Sequence, residues 1–220
     1  MRRDVLIIAA CLAGFAALTA GLAAGGPLID LDLAVRSWSE SHRPGVTGAG
    51  AGALNLLGQG GPLLVIAWLL GEWLAVRNGS LRPPVYVLVA TVLVAGTVLP
   101  VKAVTGRGAP SSPLPPERVV DLTGPLPPGE YAAGYPSGHV VNAVVWYGVL
   151  LVLVVALLRA HAAGGVPPAA RAVVRVAPVV CVLAATTYLS YHWLTDGLAG
   201  LALGLAVDRA LHLLPRRWRP

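Results

Sequence analysis

The chain has 220 residues, of which 56% are hydrophobic and only 12% charged, with a mean hydropathy of +0.72. That balance is too apolar and too poor in charge for an ordinary soluble domain, and it places the protein in the membrane. The net charge of +6 and pI near 9.9 would suggest nucleic acid in a soluble protein. Here the arginines cluster in short segments between apolar runs, as topology signals and partners of anionic membrane lipids, so no nucleic-acid partner is expected.

A membrane span takes about 20 apolar residues across roughly 30 Å of hydrocarbon. Six such stretches are expected, at about 5–25, 56–76, 85–105, 139–158, 172–192 and 196–214. They define an all-α, polytopic membrane protein, a six-helix transmembrane bundle whose single domain fills residues 1–220 and leaves little chain for another. The first stretch follows Arg2 and Arg3, and it is read as an uncleaved helix because it exceeds the roughly 7–15 residues of a signal-peptide core. Between the first two spans, Leu28, Leu31, Leu33, Val35 and Trp38 interleave with Asp30, Asp32, Arg36 and Glu40. This mixture predicts a short helix in the membrane interface.

The Gly- and Ala-rich residues 45–61 allow either close helix approach or a flexible loop. Residues 106–138 form the longest polar interruption. Pro110, Pro113, Pro115, Pro116, Pro125, Pro127 and Pro128 predict an extended, semi-rigid loop there. Cys11 and Cys181 fall inside apolar runs and read as two buried thiols.

Arg2, Arg3, Arg77, Arg82, Arg159, Arg171, Arg216, Arg217 and Arg219 all fall on one side of a six-span arrangement. The positive-inside rule makes that side cytoplasmic, with both termini, in a cell (plasma) membrane. Three polar patches then meet on the opposite, extracytoplasmic face. Lys102, the only lysine, and Arg107 end the third span; Pro136-Ser137-Gly138-His139 opens the fourth; His192 and Asp196 flank the last turn. Ionisable groups at the edge of the hydrocarbon are costly and mark a site.

Each patch has a plainer reading when taken alone. His192 and Asp196, four apart, share one face if both are helical, and the carboxylate then orients the imidazole as a nucleophile or base; a helix cap beside an unrelated histidine is the alternative. Ser137 and Gly138 at a helix start offer free amides and a hydroxyl to an anion, with His139 placed to donate a proton, or they form a common capped turn. Lys102 and Arg107 supply fixed charge to a phosphoryl group or snorkel to the interface. Their joint order on one face favours the phosphoryl site.

In this order the residues resemble the type 2 phosphatidic acid phosphatase superfamily of membrane lipid phosphatases. Its three motifs are a Lys with Arg-Pro beginning seven positions later, Pro-Ser-Gly-His, and Ser-Arg followed after five residues by His and three further on by Asp. The resemblance covers roughly residues 56–212 and implies that His192 becomes a phosphohistidine, Asp196 holds its tautomer and His139 protonates the leaving group. Lys102, Ser137 and Gly138 would hold phosphoryl oxygens. No metal and no cofactor is implied.

The chain departs from the pattern at Ala109, seven positions after Lys102, and at Ala185 and Thr186 in the third motif. Arg107, where many bacterial members carry an additional arginine, would take over part of the phosphate-gripping role; Arg118 is a more distant substitute. The expected function is hydrolysis of a lipid phosphate or polyprenyl diphosphate. The alternatives are a lipid-linked phosphotransferase and a non-catalytic lipid-phosphate binding or scaffold protein. Nothing in the pattern assigns an oligomeric state.

Overall fold

A computed structural model describes residues 1–220 except 125, 127–132, 161–164 and 216–219. Pro125, Pro127, Pro128, Arg216, Arg217 and Arg219 therefore lie outside the described residues. Regular structure among the described residues is helical throughout. Six long helices, α1 (Arg2–Ala23), α4 (Gly60–Asn78), α5 (Arg82–Val104), α6 (Gly138–Ala160), α7 (Pro168–Tyr188) and α8 (Leu194–Leu213), match the expected stretches. Two shorter ones, α2 (Pro27–Ser41) and α3 (Gly45–Asn55), fill the segment between the first two, and a 3₁₀ turn, Leu56–Gly58, leads into α4.

Among the described residues, five helices are long and apolar enough to cross a membrane: α1, α4, α5, α6 and α7. The sixth, α8, has the length at 20 residues but carries Asp196, Asp208 and Arg209. Its position resolves the conflict. It packs against α1, α2, α5, α6 and α7, and Asp196 and Asp208 are buried. Asp208 pairs with Arg175 at 2.5 Å and with Arg209 at 3.2 Å. Charges on the innermost helix face protein rather than lipid, where the cost of ionisation is lower.

The outer faces show the reverse pattern. Val65, Ile66, Leu69 and Trp73 of α4, Leu88, Val92 and Leu99 of α5, and Val173, Val176 and Val180 of α7 are all exposed. Such a continuous apolar surface is a liability in water and the normal state in lipid. Inside, Leu63, Ala67, Leu74, Val87, Val145 and Leu203 join α4, α5, α6 and α8 in one core.

The interfacial helix forms as expected, but two of its polar residues point inward. Pro27 stands in its first turn, where the missing N–H costs nothing. Asp32 and Ser39 are buried, while Leu31 and Trp38 are exposed. The Gly- and Ala-rich stretch is helical as α3, packed on α7. The fifth expected span ends early: α7 stops at Tyr188, and Ser190 adopts a left-handed φ of 58°. His192 therefore lies in the connection before α8 and not on a helix.

The proline-rich segment is not extended where it is described. It folds back on itself, with Gly106 N–H donating to Leu122 O at 2.9 Å, Gly108 N–H to Val119 O at 3.0 Å and Gly134 N–H to Arg107 O at 3.0 Å. Val119 and Val120 pack with Trp193 into a small core above the bundle. Proline limits helix but leaves the remaining amides free to pair wherever burial rewards it.

Close approach of α8 to the start of α6 depends on a missing side chain. A Cβ at Gly200 would stand 2.5 Å from Ser137 O and 3.3 Å from Val140 Cβ. Gly200→Val is expected to lower the thermal unfolding midpoint of the detergent-solubilised protein, from a cost of about 1–3 kcal/mol for overpacking. A valine variant as stable as the parent would show that the two helices separate freely.

Candidate active site

The last turn of α5 carries Lys102, whose Nζ donates to Ala133 O. Five residues on, Arg107 is fully buried. Its Nε donates to Val120 O at 2.8 Å, Nη1 to Thr195 Oγ1 at 2.7 Å and Asp196 Oδ1 at 2.6 Å, and Nη2 to Asp32 Oδ2 at 2.5 Å. The guanidinium also lies 5.4 Å from the centre of the Trp193 ring. Two carboxylates from α2 and α8 thus converge on one cation.

Asp32 further accepts from Thr195 N–H at 3.0 Å and Thr195 Oγ1–H at 2.5 Å. Burial pushes the Asp32 carboxyl above the usual carboxylate range, against the opposing pull of Arg107 and the Thr195 bonds. Those partners are what make a carboxyl tolerable at this depth. Sequence reading placed Asp32 only as a polar residue of the interfacial helix. The available signal was a carboxylate at the membrane edge, four residues from Arg36.

Asp196 is the third residue of α8 and divides its oxygens. Oδ1 takes Arg107, and Oδ2 accepts from Trp193 N–H at 3.0 Å, capping the helix. Oδ2 also stands 3.5 Å from His192 Nδ1. The shorter contact of that nitrogen is Gly134 O at 2.9 Å. A carbonyl only accepts, so Nδ1 carries a proton, which in the neutral ring leaves the lone pair on Nε2. The expected orienting role is thus shared between a backbone carbonyl and the carboxylate.

Before α6, Ser137 N–H donates to Asp196 O at 2.9 Å, and Ser137 Oγ accepts from Val140 N–H at 3.4 Å. The buried serine caps its own helix and ties the second motif to the third. Tyr135 Oη shares a 2.6 Å hydrogen bond with Thr19 of α1, and burial pushes the phenol above its ordinary value. Thr186, at the family's arginine position, is buried with its hydroxyl on Val182 O at 2.8 Å.

Lys102, Gly138, His139 and His192 line a common cavity of about 430 Å³. The two imidazoles are 5.6 Å apart between ring centres, edge to face at 66°. Ala109 also lines this cavity, as do Asn55 and Asn142, which no motif singled out. Arg107 and Ser137 do not line it. Both were expected to hold phosphoryl oxygens; in the structure their side chains bond to protein partners.

The site so assembled presents a lysine, two histidines and a buried carboxylate at one end of a helical membrane bundle. A model of the PAP2 superfamily matches residues 83–220. The chain belongs to that superfamily. A search of curated proteins finds no match. Among solved structures, the chain is similar to the crystal structure of a transmembrane PAP2-type phosphatidylglycerolphosphate phosphatase from Bacillus subtilis, with a TM-score of 0.69 and 19% identity over 98% of this chain and 99% of that one. At that identity the likeness shows a shared fold.

The geometry separates a gripping role for Arg107 from a positioning one. Arg107→Ala leaves two buried carboxylates without their cation, a loss expected to cost about 3–5 kcal/mol in stability. Turnover should fall through kcat with KM little changed, and Arg107→Lys should rescue only in part because one ammonium cannot span both carboxylates. A rise in KM alone would return Arg107 to the phosphate.

Proposed function

We propose that the chain is a membrane phosphatase that hydrolyses a lipid phosphate or polyprenyl diphosphate at the extracytoplasmic face through a phosphohistidine. The observation that carries this reading is the shared cavity of Lys102, His139 and His192, with His192 Nδ1 engaged by Gly134 O at 2.9 Å. In the first step Nε2 of His192 attacks phosphorus, the bond to the leaving oxygen breaks, and His139 delivers a proton to that oxygen. Water then attacks the phosphohistidine, His139 takes its proton, the P–N bond breaks and phosphate leaves. Lys102 and the amides at the start of α6 offset charge on the phosphoryl oxygens.

Asp196 and Gly134 O keep the proton on Nδ1 in the free enzyme and steady the cationic ring once Nε2 carries the phosphoryl group. Arg107 acts one layer further away, by holding Asp196. A lipid substrate is supported by an apolar groove of about 720 Å³ between α2, α3 and α7, lined in part by Trp38, Leu54, Leu183 and Tyr188.

A second reading, binding without turnover, draws on one observation: Lys102 is the single formal cation among the described residues lining the cavity. His192→Ala decides between them. Wild-type protein incubated with lipid labelled in its phosphate and quenched in alkali should carry label, and His192→Ala should carry none while phosphate release drops by about a thousandfold or more. A folded wild type that releases no phosphate favours binding, and release that survives in His192→Ala removes His192 as the nucleophile.

Orientation rests on Arg2, Arg3, Arg77, Arg82, Arg159 and Arg171, which lie away from the cavity end. A cysteine at Ser111, exposed in the loop near the cavity, should react in intact cells with a maleimide that cannot cross the membrane. Labelling only after lysis would reverse the topology.

A further inference from the structure

A second cavity, of about 680 Å³, opens between α6, α7 and α8 at the end of the bundle opposite the candidate active site. Its walls are of two kinds. Leu151, Val152 and Val155 of α6 form an apolar side, and Arg159 of α6 with Arg171 and Arg175 of α7 form a cationic one. Leu151 lies two turns before Arg159 on the same helix, about 12 Å along its axis. The apolar wall therefore runs from the cationic rim toward the middle of the span. No acidic side chain is among the described residues that line the cavity.

The cations differ in what they already hold. Arg175 pairs with Asp208 at 2.5 Å, and Arg209 lies 3.2 Å from Asp208 and 3.9 Å from Asp4. Two carboxylates thus meet two guanidiniums. Arg171 donates Nε to Val166 O at 2.8 Å, an uncharged partner. Neither Arg159 nor Arg171 makes an ion pair among the described residues, and both are exposed. Their two positive charges are left unmatched at the rim.

The frame around them is fixed by protein contacts. Gly148 of α6 faces the Arg175–Asp208 pair: a Cβ there would stand 2.7 Å from Asp208 Oδ1 and 3.6 Å from both terminal nitrogens of Arg175. The bare backbone lets the pair lie close against α6 and tie α7 to α8 beside it. His212 also lines the cavity, with its Nδ1 2.7 Å from Asp208 O in the last turn of α8. The cavity is braced before any ligand enters.

These walls discriminate between anions. A soluble phosphate uses the arginines and gains nothing from Leu151, Val152 and Val155. A phospholipid with a negatively charged head group uses both, with its phosphate on guanidinium groups and the upper part of its chains on the apolar wall. Val173 and Val176, on the same turns of α7 as Arg171 and Arg175, are exposed as lipid-facing residues are. The arginine pattern assigns this end to the cytoplasm, where the leaflet carries anionic lipid and basic pockets between membrane helices hold its head groups.

We infer that the cavity between α6, α7 and α8 is a binding site for an anionic phospholipid, with its phosphate on Arg159 and Arg171 and its chains against Leu151, Val152 and Val155. Arg175 stays with Asp208 and frames the site. The assignment does not rest on the phosphatase reading, since none of these residues belongs to the three motifs or to the candidate active site.

The test follows the thermal unfolding midpoint of the full chain in a neutral detergent. It is titrated with phosphatidylmethanol, an anionic methyl phosphodiester, and with phosphatidylcholine of identical acyl chains. Phosphatidylmethanol should raise the midpoint to a plateau and phosphatidylcholine should not. In Arg159→Gln/Arg171→Gln, measured against its own lipid-free midpoint, the half-saturating concentration should rise about tenfold or more. Arg77→Gln/Arg82→Gln, which removes the same charge from α4 and α5, should keep the wild-type value, and so should Lys102→Gln.

Equal stabilisation by phosphatidylcholine overturns the inference, as does an unchanged titration in Arg159→Gln/Arg171→Gln. An equal loss in Arg77→Gln/Arg82→Gln would show a diffuse surface field, and a loss in Lys102→Gln would place the lipid in the candidate active site; either result overturns it. Inorganic phosphate that reproduces the full shift at the same concentration would assign the cavity to a soluble anion and overturn the lipid assignment.

Discussion

The structure around the candidate site depends on one buried cation. Arg107 joins Asp32 on the interfacial helix to Asp196 at the start of α8, at 2.5 and 2.6 Å, with all three side chains closed to solvent. Desolvating three charged groups is expensive, and it is tolerated here because each is met by further bonds from Val120 O, Thr195 and Trp193 N–H. The network thereby fixes where α2, the proline-rich segment and α8 meet. His192 stands in the connection leading into that junction.

Placement of the nucleophile candidate follows from the network through short links. Asp196 is held by Arg107 through one oxygen and caps α8 through the other, so its position relative to His192 is set by the helix start. Ser137 N–H on Asp196 O at 2.9 Å carries the same registration into the start of α6, where His139 sits. The two histidines share a cavity because the backbone bond and the buried ion pairs together join these segments. The cavity itself is left electrically spare, with Lys102 its one formal cation among the described lining residues and Ala109 at one of the family's arginine positions.

The membrane imposes the opposite rule on the outside. Lipid satisfies no polar group, so α4, α5 and α7 present Val, Leu and Ile outward while α8 turns its carboxylates inward onto protein partners. This inversion accounts for the one helix of the six that falls short by composition. Charges on α8 are a consequence of its central place and the pairings made there, with Asp208 between Arg175 and Arg209.

The sequence by itself determined the all-helical class, the long helices and the ionisable residues that gather at one end of the bundle, because apolar run length and a few ionisable residues in apolar surroundings are local properties. Lys102, His139, His192 and Asp196 could be picked out because each is anomalous where it stands. Tertiary structure decided what distant neighbours each would meet. Nothing near Arg107 in the sequence announces Asp32, 75 residues away, as its partner, and nothing near Ser137 announces the bond of its N–H to Asp196 O. Asn55 and Asn142 bear no charge and fit no motif, so only the fold could bring them to the cavity. Hydrophobic patterning specifies which faces are buried, but the partner of a buried polar group is set by segments far apart in the chain, and that pairing is what divides the candidate site into groups that grip and groups that hold.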